Sequence, residues 1–524
     1  MYTLGFLSRV SALLGTAFGD FDLTTSDSTY TIDTNGGLVF EVNRTNGDIT
    51  SLLYDGVQFQ GTGKMSQINS GLGTSTVTAD TLNGHVKITV KASSQPLTHY
   101  YVAKPGDPTI YMATHITEFE GKDTFKYLDD TTRCKMYTSD RFIDDQVHGM
   151  KGDNVGVWMI MPGNAYKHSA GGPLMKDINS QSTDDQELYR YMNSGHVRTE
   201  PWRFGLLWPR APHAMRFTSS TRPPSADVDM SFFDSLNIDG YVPDNGRGSV
   251  SGTATGMKGS AEAVVHWFNQ DAQYWTKASR GKFTSPLMKP GTYTTRLYRN
   301  KFPVANTSVT ITAGGKATQD IEATDSEPSV IWRIGEFDGQ PSELKNGDKI
   351  QRLHPSDSRM ASWGGEFTVG SSQTKDFPMA LFSKIGGNAT VNFDLAPDQL
   401  GGVVLRIGTT LSLKGGRPSV KINEWEEADP GAPISYHHQG NPTLIDSRGI
   451  TGGAYRGFGD VYSWEVPASE LKTGQNTLVI GVIGKGDADF LSANYIIDAV
   501  ELQGKGGPKN DTSSYTSRYQ RRFQ

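Results

Sequence analysis

The sequence predicts an all-β protein. Of its 524 residues, 59 are glycine and 25 are proline, and short runs of Val, Ile, Thr and Tyr alternate with Gly, Asn, Asp and Pro. Long runs of Ala, Glu, Leu and Lys at helical spacing are missing. Short strands bounded by turn residues are typical of stacked β-sheets. The chain is too long for one ordinary domain and suits about three.

Residues 17–246 are predicted to form one large β-sandwich. Its strands are separated by turn signals, of which the pairs Asn35-Gly36 and Asn46-Gly47 most strongly favour β-hairpins. Sheets of this size need two packed layers to bury their faces.

Two smaller units follow. Residues 247–322 contain strands at short, even spacing, which predicts a seven-stranded sandwich of fibronectin type III or a related kind. Residues 330–503 contain runs such as VVLRIGTTLS and NTLVIGVIG, predicted strands of a jelly-roll sandwich. The polar and basic tail, 504–524, is predicted to be disordered.

Residues 1–16 resemble a weak secretion signal, with apolar runs interrupted by Arg9 and followed by small residues. A disordered start is the competing interpretation. No stretch has the apolar length that a membrane span needs. We expect a secreted glycoprotein that acts as a monomer. Its Asn-x-Ser/Thr sequons are Asn43, Asn306, Asn388 and Asn510.

Composition and motifs argue against several classes of function. A net charge of -6 and a pI near 6.0 give no support for nucleic-acid binding. The single cysteine, Cys134, excludes an internal disulfide. There is no H-E-x-x-H or paired-cysteine pattern for zinc, and no G-x-S-x-G nucleophile elbow.

The stretch LYRYMNSGHVRTE, Leu188 to Glu200, combines residue types that bind and protonate anionic substrates. Alternation would place Tyr189 and Tyr191 on one face of a strand, and His196 follows a glycine that permits a turn. An edge strand that runs into a turn, with an ordinary surface histidine, is the structural alternative.

Arg133 and Lys135, in a charge-dense block further upstream, complete a cationic and phenolic set. Such a set suits β-elimination on a uronic acid polymer, because a cation stabilises the enolate-like charge while a base removes H5 and an acid protonates the leaving oxygen. A neighbouring arginine would lower the pKa of a lysine base. A solvated strand face is the structural interpretation of these two cations.

Glycoside hydrolysis would instead need two facing carboxylates. Structural roles are favoured for the acids that could serve there, which are Asp144, Asp145, Asp177 and Glu200.

The chain resembles a known family, the fungal rhamnogalacturonan lyases of polysaccharide lyase family 4. The matching blocks cover nearly the whole chain and include KMYTSDRFIDDQ, GGPLMKDINS, LYRYMNSGHVRTE, FTSPLMKPGTY, IGEFDGQP and HPSDSRM. The resemblance implies a large catalytic β-sandwich, a fibronectin type III-like sandwich and a jelly-roll domain of carbohydrate-binding type. It implies endo-acting cleavage of the rhamnose-α-1,4-galacturonate bonds of rhamnogalacturonan I, a pectin, by β-elimination.

The resemblance also implies roles for individual residues. Lys135 matches the family's proposed base, His196 matches its proposed acid, and Tyr189 and Tyr191 match tyrosines that line the substrate cleft. No metal or other cofactor is implied for catalysis.

The chain departs from the family pattern near residues 125–133, where relatives carry a few tens of residues more. A cleft arginine belongs near that segment. Lys126 is the nearest cation by position, and Arg133 is a candidate replacement in substrate binding. A pectin-binding protein with impaired catalysis is therefore the alternative function. A structural calcium ion on Glu336 and Asp498 is a further hypothesis, since hard oxygen ligands suit calcium.

Overall fold

The computed structural model describes residues 20–68, 71–116, 136–138, 140–162, 171–182, 186–190, 203, 205–206, 213–257, 261–324, 329–349, 355, 359–427, 429–431, 460–484, 486, 490 and 492–504. The predicted secretion signal, the shortened segment near 125–133 and the tail from 505 onward lie outside these residues. All regular structure in the described ranges is β-strand or short 3-10 helix, which confirms the all-β class. No helix in these ranges is long and apolar enough to cross a membrane.

The first sandwich is built from a five-stranded, an eight-stranded and a three-stranded sheet. Its strands are β1 (Asp22–Thr25), β2 (Thr29–Asp33), β3 (Leu38–Asn43), β4 (Ile49–Tyr54), β5 (Val57–Gln58), β6 (Ser75–Leu82), β7 (His85–Ala92), β8 (Leu97–Ala103), β9 (Thr109–Ile116), β10 (Met136–Thr138), β11 (Val147–Lys151), β12 (Gly156–Ile160), β13 (Ser180–Ser182), β14 (Gln186–Leu188), β15 (Gly205–Leu206) and β16 (His213–Thr218). The strand orders are β1-β2-β3-β4-β5, β11-β12-β16-β9-β8-β7-β6 with β15 beside β9, and β10-β13-β14.

The two predicted hairpins are confirmed, because β2 pairs with β3 and β3 with β4 in antiparallel register. Gly47 lies between β3 and β4 with a φ of 77°. A Cβ atom there would lie 2.4 Å from Cγ1 of Val90. Glycine therefore suits this turn both in backbone conformation and in space.

The five-stranded sheet packs on the eight-stranded sheet around one hydrophobic core. Alternate residues of β2 and β3 are buried, as the two-residue period of a strand requires. Across the layers, the ring centroids of Tyr54 and Phe217 lie 5.3 Å apart. The hydroxyl of Tyr101 donates a hydrogen bond to the Gly47 carbonyl at 3.0 Å.

The second sandwich packs two four-stranded sheets, with strand orders β20-β17-β23, where β24 also pairs with β17, and β19-β18-β21-β22. Its strands are β17 (Ser249–Thr255), β18 (Ala263–Phe268), β19 (Gln273–Lys277), β20 (Lys282–Thr284), β21 (Gly291–Arg299), β22 (Phe302–Ile311), β23 (Lys316–Thr318) and β24 (Ile321–Glu322). The rings of Trp267 and Phe283, 5.7 Å apart, join the two layers.

Both faces of β18 are buried, and each face serves a different core. Val265 and Trp267 enter the core of the second sandwich, whereas Val264 belongs to the core of the first. Alternation along a strand makes this division possible. Trp275 and Tyr298, on neighbouring strands, also join the first core. The outer face of this sheet is therefore an interface with the first sandwich.

The third sandwich has two five-stranded sheets, with strand orders β25-β34-β29-β32, where β27 also pairs with β34, and β26-β28-β33-β30-β31. Its strands are β25 (Val330–Gly335), β26 (Gly365–Thr368), β27 (Ala380–Phe382), β28 (Ala389–Leu395), β29 (Val403–Leu413), β30 (Arg417–Ile422), β31 (Trp425–Glu426), β32 (Val461–Val466), β33 (Gly474–Ile483) and β34 (Asn494–Gly504). The rings of Trp332 and Phe393 pack together across the layers, with their centroids 5.3 Å apart.

The third sandwich contacts the second beside the β21–β22 hairpin. The backbone N–H of Lys301 donates to the Phe337 carbonyl at 2.9 Å. The guanidinium of Arg406 lies 4.5 Å from the ring centroid of Phe302.

The 3-10 helices of the described residues are Ser231–Ser235, Asp244–Gly246, Pro341–Glu343, Thr374–Asp376, Pro397–Gln399 and Ala468–Glu470.

Candidate active site

The three-stranded sheet brings together parts of the two sequence blocks that hold the predicted site residues. β10 begins at Met136, directly after Lys135, and β14 ends at Leu188, directly before Tyr189. β13 pairs with both strands. β10 and β14 are therefore two strand spacings apart, about 10 Å, and run in the same direction, so Met136 is level with Gln186 and Thr138 with Leu188. The start of β10 and the end of β14 are thus at opposite ends of the sheet.

Four of the five predicted site residues, Lys135, Arg133, Tyr191 and His196, lie outside the described residues. Their roles stay predictions. Tyr189 is described and is partly buried.

Tyr189 lies one residue beyond the end of β14, so the predicted strand is shorter than the alternation suggested. Its N–H still donates to the carbonyl of Asn179 at 2.8 Å, which adds one bond after the last strand pair. Its hydroxyl donates a hydrogen bond to the carboxylate of Glu187, two residues earlier. Neighbours at this spacing share one side of an extended chain.

His148 contacts the backbone of Tyr189 from the other main sheet. It lies on β11, the edge strand of the eight-stranded sheet. Its Nδ1 lies 2.6 Å from Oδ1 of Asp145, and its Nε2 lies 2.9 Å from the carbonyl oxygen of Tyr189. The side chains of His148 and Asp145 are 8% and 1% exposed. We call His148 and Asp145 the anchor pair.

Charged groups surround the anchor pair in a region of low exposure. Burial lowers the pKa of Arg190 to about 9, although the charge of Asp145 opposes that shift. Burial also lowers the pKa of His213 well below its usual value, and the charge of Arg190 adds to the effect. Burial and the charge of Asp145 raise the pKa of Asp140.

Asp144, the neighbour of Asp145, faces the second sandwich instead. Its carboxylate lies 2.5 Å from Nε of Arg141 and 2.6 Å from Nζ of Lys277. The same two cations contact Glu262, at 3.0 Å and 2.7 Å. Arg141 also donates to the carbonyl of Asp338 in the third sandwich. We call Arg141, Asp144, Glu262 and Lys277 the junction network.

A second group of buried charges lies where the three sandwiches meet. Nζ of Lys301 lies 2.6 Å from the carboxylate of Asp498, with exposures of 4% and 0%. Burial lowers the pKa of Lys176 to about 7, although the charges of Asp498 and Asp338 oppose the shift. Burial, together with the charge of Asp498, raises the pKa of Asp338 to about 6.

The carboxylates that were weighed for glycoside hydrolysis have other partners. Asp144 pairs with cations and Asp145 with His148, while Asp177 is 1% exposed and accepts the N–H of Ile178 at 2.8 Å. These contacts favour structural roles, as expected. Glu200 lies outside the described residues.

Glu336 and Asp498, the predicted calcium ligands, each contact a basic side chain. Asp498 pairs with Lys301, and Glu336 accepts a hydrogen bond from Arg333 at 3.2 Å. Within the described ranges, no group of three or more Asp, Glu, His or Cys residues could hold a metal ion. The structural calcium ion stays a hypothesis.

Sequence reasoning assigned no role to Arg141, His148 or Lys176. A signal was present for two of them, because Arg141 precedes Asp144 by three residues and Asp145 precedes His148 by the same spacing. Opposite charges at this spacing can pair in a turn. Lys176 interacts with the charges of Asp338 and Asp498, which are far from it in the sequence, so no local pattern predicts the interaction.

Three family models match the chain. Residues 21–119 and 115–240 match the family described as rhamnogalacturonan lyase B, N-terminal. Residues 246–319 match polysaccharide lyase family 4, domain II, and residues 330–502 match domain III of the same family. The first match is split at residues 115–119, just before the segment that the sequence analysis identified as shortened.

Curated relatives are similar over nearly their whole length. Rhamnogalacturonate lyase A of Emericella nidulans is 46% identical over 522 residues, which cover 92% of this chain and 96% of the relative. The probable rhamnogalacturonate lyase A of Aspergillus niger is 45% identical over 94% of this chain and 97% of its own length. Rhamnogalacturonate lyase A of Aspergillus aculeatus is 43% identical over 96% of this chain and 100% of its own length.

The three family matches follow one another along the chain in the order of the three sandwiches. Together with identity above 40% across nine-tenths of both sequences, they show that the chain belongs to polysaccharide lyase family 4.

Proposed function

We propose that this protein is an endo-acting rhamnogalacturonan lyase. It cleaves rhamnose-α-1,4-galacturonate bonds of rhamnogalacturonan I by β-elimination and leaves unsaturated galacturonate ends. The observation that carries this proposal is the identity of 43% to 46%, over almost full length, to relatives named rhamnogalacturonate lyase A. The substrate is a cell-wall polymer, so the proposal places the protein outside the cell, where it acts as a monomer.

In the proposed mechanism, Lys135 is the base and His196 is the acid. Lys135 removes H5 of the galacturonate, a double bond forms between C4 and C5, and the bond from C4 to the leaving oxygen breaks. His196 gives its proton to that oxygen. Each such group typically contributes at least about a hundredfold to the rate.

Substrate binding is assigned to Tyr189, Tyr191 and Arg133. Arg133 would stabilise the negative charge that develops on the substrate carboxylate when H5 leaves. Tyr189 would contact the substrate. Its position is fixed by the hydrogen bond from its hydroxyl to Glu187 and by the bond from its N–H to the Asn179 carbonyl. No metal ion takes part in these steps.

The test is ultraviolet absorbance of unsaturated uronates during reaction with rhamnogalacturonan I, without added calcium. We expect a rise for the wild type and a loss of at least about a hundredfold in Lys135→Ala and in His196→Ala. Lys91→Ala, at an exposed position on β7, is the control for loss of a lysine.

Other outcomes would replace the proposal. No rise from wild-type protein with a native circular dichroism spectrum would favour the pectin-binding alternative, with the shortened segment as its cause. New reducing ends without an absorbance change would favour a glycoside hydrolase. A requirement for calcium would contradict the metal-free mechanism.

A further inference from the structure

The ring of His148 is held between two hydrogen-bond acceptors. On one side is the carboxylate of Asp145, at 2.6 Å from Nδ1, and on the other is the carbonyl oxygen of Tyr189, at 2.9 Å from Nε2. An ionised carboxylate and a carbonyl oxygen can only accept hydrogen bonds. An imidazole that carries both protons satisfies both of them at once.

This contact joins the edge of the eight-stranded sheet to the end of the three-stranded sheet. β11 is the outermost strand of the eight-stranded sheet, whereas Tyr189 follows the last strand of the three-stranded sheet. Asp145 is 1% exposed, so it fixes the orientation of the ring from a position that water hardly reaches. A hydrogen bond in which one partner is ionised is stronger than a bond between two neutral groups.

Tyr189 is also the point from which the predicted site segment continues. Tyr191 follows it by two residues and His196 by seven. A displacement of about 1 Å at catalytic groups can reduce a rate about a hundredfold. A fixed carbonyl at Tyr189 therefore bears on the rate of a reaction in which it takes no chemical part.

We propose that His148 is a positioning residue, which anchors the Tyr189 segment to the edge of the large sheet and is itself oriented by Asp145. This inference rests on the proposed lyase function for its effect on catalysis. The anchor itself depends only on the described contacts.

Two substitutions of nearly equal polarity separate the two contacts of the ring. The amide nitrogen of glutamine takes the approximate position of Nε2, so His148→Gln keeps a donor toward the Tyr189 carbonyl. The amide nitrogen of asparagine takes the approximate position of Nδ1, so His148→Asn keeps only the bond to Asp145. If the anchor matters, glutamine restores function and asparagine does not.

The first measurement is kcat and KM on rhamnogalacturonan I. We expect kcat to fall at least about tenfold in His148→Asn, since the segment moves, and to stay near the wild-type value in His148→Gln. His85→Gln, which removes a histidine from β7, is the control and should leave kcat unchanged. The opposite order of the two His148 variants would show that the bond to Asp145 matters and the bond to the Tyr189 carbonyl does not, and would overturn the proposal.

The second measurement is amide hydrogen exchange in a peptide that covers residues 186–190. We expect faster exchange in His148→Asn than in the wild type, and wild-type exchange in His148→Gln. Equal exchange in all three proteins would overturn the anchor, whether or not the protein is active. An inactive wild type would overturn the proposed function and the catalytic consequence, while exchange would still decide the anchor.

Discussion

Asp144 and Asp145 are neighbours in the sequence, but their carboxylates serve different parts of the molecule. Asp144 contacts Arg141 and Lys277 at the interface with the second sandwich. Asp145 contacts His148, which reaches the backbone of Tyr189. One carboxylate belongs to the interface between sandwiches, and the other holds a histidine that contacts the candidate site residue Tyr189.

The turn that contains both residues produces this division. The N–H groups of Asp144 and Asp145 both donate to the carbonyl of Arg141, at 2.8 and 2.9 Å. Successive side chains in so tight a turn leave in different directions. Residue type therefore does not distinguish a site residue from an interface residue in this block, whereas side-chain direction does.

The largest effect on stability is expected from Arg141→Met. Arg141 is 4% exposed and contacts both Asp144 and Glu262. Removing one partner of a buried ion pair leaves uncompensated charge, and breaking such pairs costs about 3 kcal/mol at the low end of the usual range. We choose the low end because both carboxylates are about a quarter exposed. Urea denaturation followed by tryptophan fluorescence measures the loss.

The comparison predicts that Arg141→Met keeps a kcat close to wild type at a temperature where it is folded. Arg216→Met is the matched control, because Arg216 lies 4.0 Å from Asp107 and is 35% exposed, so its stability should hardly change. A fall in kcat as large as that expected for His148→Asn would contradict the division between interface and site.

Much of the fold could be predicted from the sequence because its signals are local. The all-β class follows from turn residues and the two-residue period, which β2 and β3 show in their burial. The hairpin at Gly47 was predicted from two adjacent residues. The match of whole sequence blocks supplied the family and the predicted roles of Lys135 and His196.

What the sequence left open depends on contacts between distant residues. The bond from His148 to Tyr189 spans 41 residues and two sheets. The second buried face of β18 is another case, because an apolar strand does not reveal that its outer side packs on another sandwich. Local periodicity predicts that a face is buried, but it cannot identify the partner.

A smaller effect, dependent on pH, is expected at Lys176. Burial lowers its pKa from 10.5 to about 7 in the folded protein. Between these values the unfolded chain binds more protons, so this lysine makes stability rise with pH across that window. Below pH 7 Lys176 is protonated in both states and destabilises the folded protein fully. Above pH 10.5 it is neutral in both states and has no such effect.

Lys176→Met should remove this rise, by about 2 kcal/mol across the window after allowance for relaxation around the charge. The pKa values of Asp338 and Glu343 are raised from 3.8 and 4.5 to about 6 and 7. These two carboxyl groups therefore make stability fall as pH rises between those values, which lie below the Lys176 window. Urea midpoints at both ends of the Lys176 window give the slope. Lys64→Met, at an exposed position, controls for loss of one positive charge. An unchanged slope in Lys176→Met would contradict the expectation.

The smallest effect is expected from Lys277→Met, and it sharpens the comparison within the junction network. Lys277 contacts the same two carboxylates as Arg141, at 2.6 and 2.7 Å, but is 43% exposed. Solvent screens such a pair, so its loss should cost about 0.5 kcal/mol and less at high salt. Lys282→Met, on an exposed position of β20, is the control.

Because Arg141 and Lys277 share their partners, the difference between their variants separates burial from ion pairing. Urea denaturation at low and high salt measures both in parallel. If pairing alone determined the contribution, the two variants would lose equal stability and respond equally to salt. If burial determines the contribution, Arg141→Met loses several times more unfolding free energy than Lys277→Met. Salt then changes only the loss that is measured for Lys277→Met. The second result would show that the junction network depends mainly on Arg141, which is buried, and less on Lys277, which is exposed.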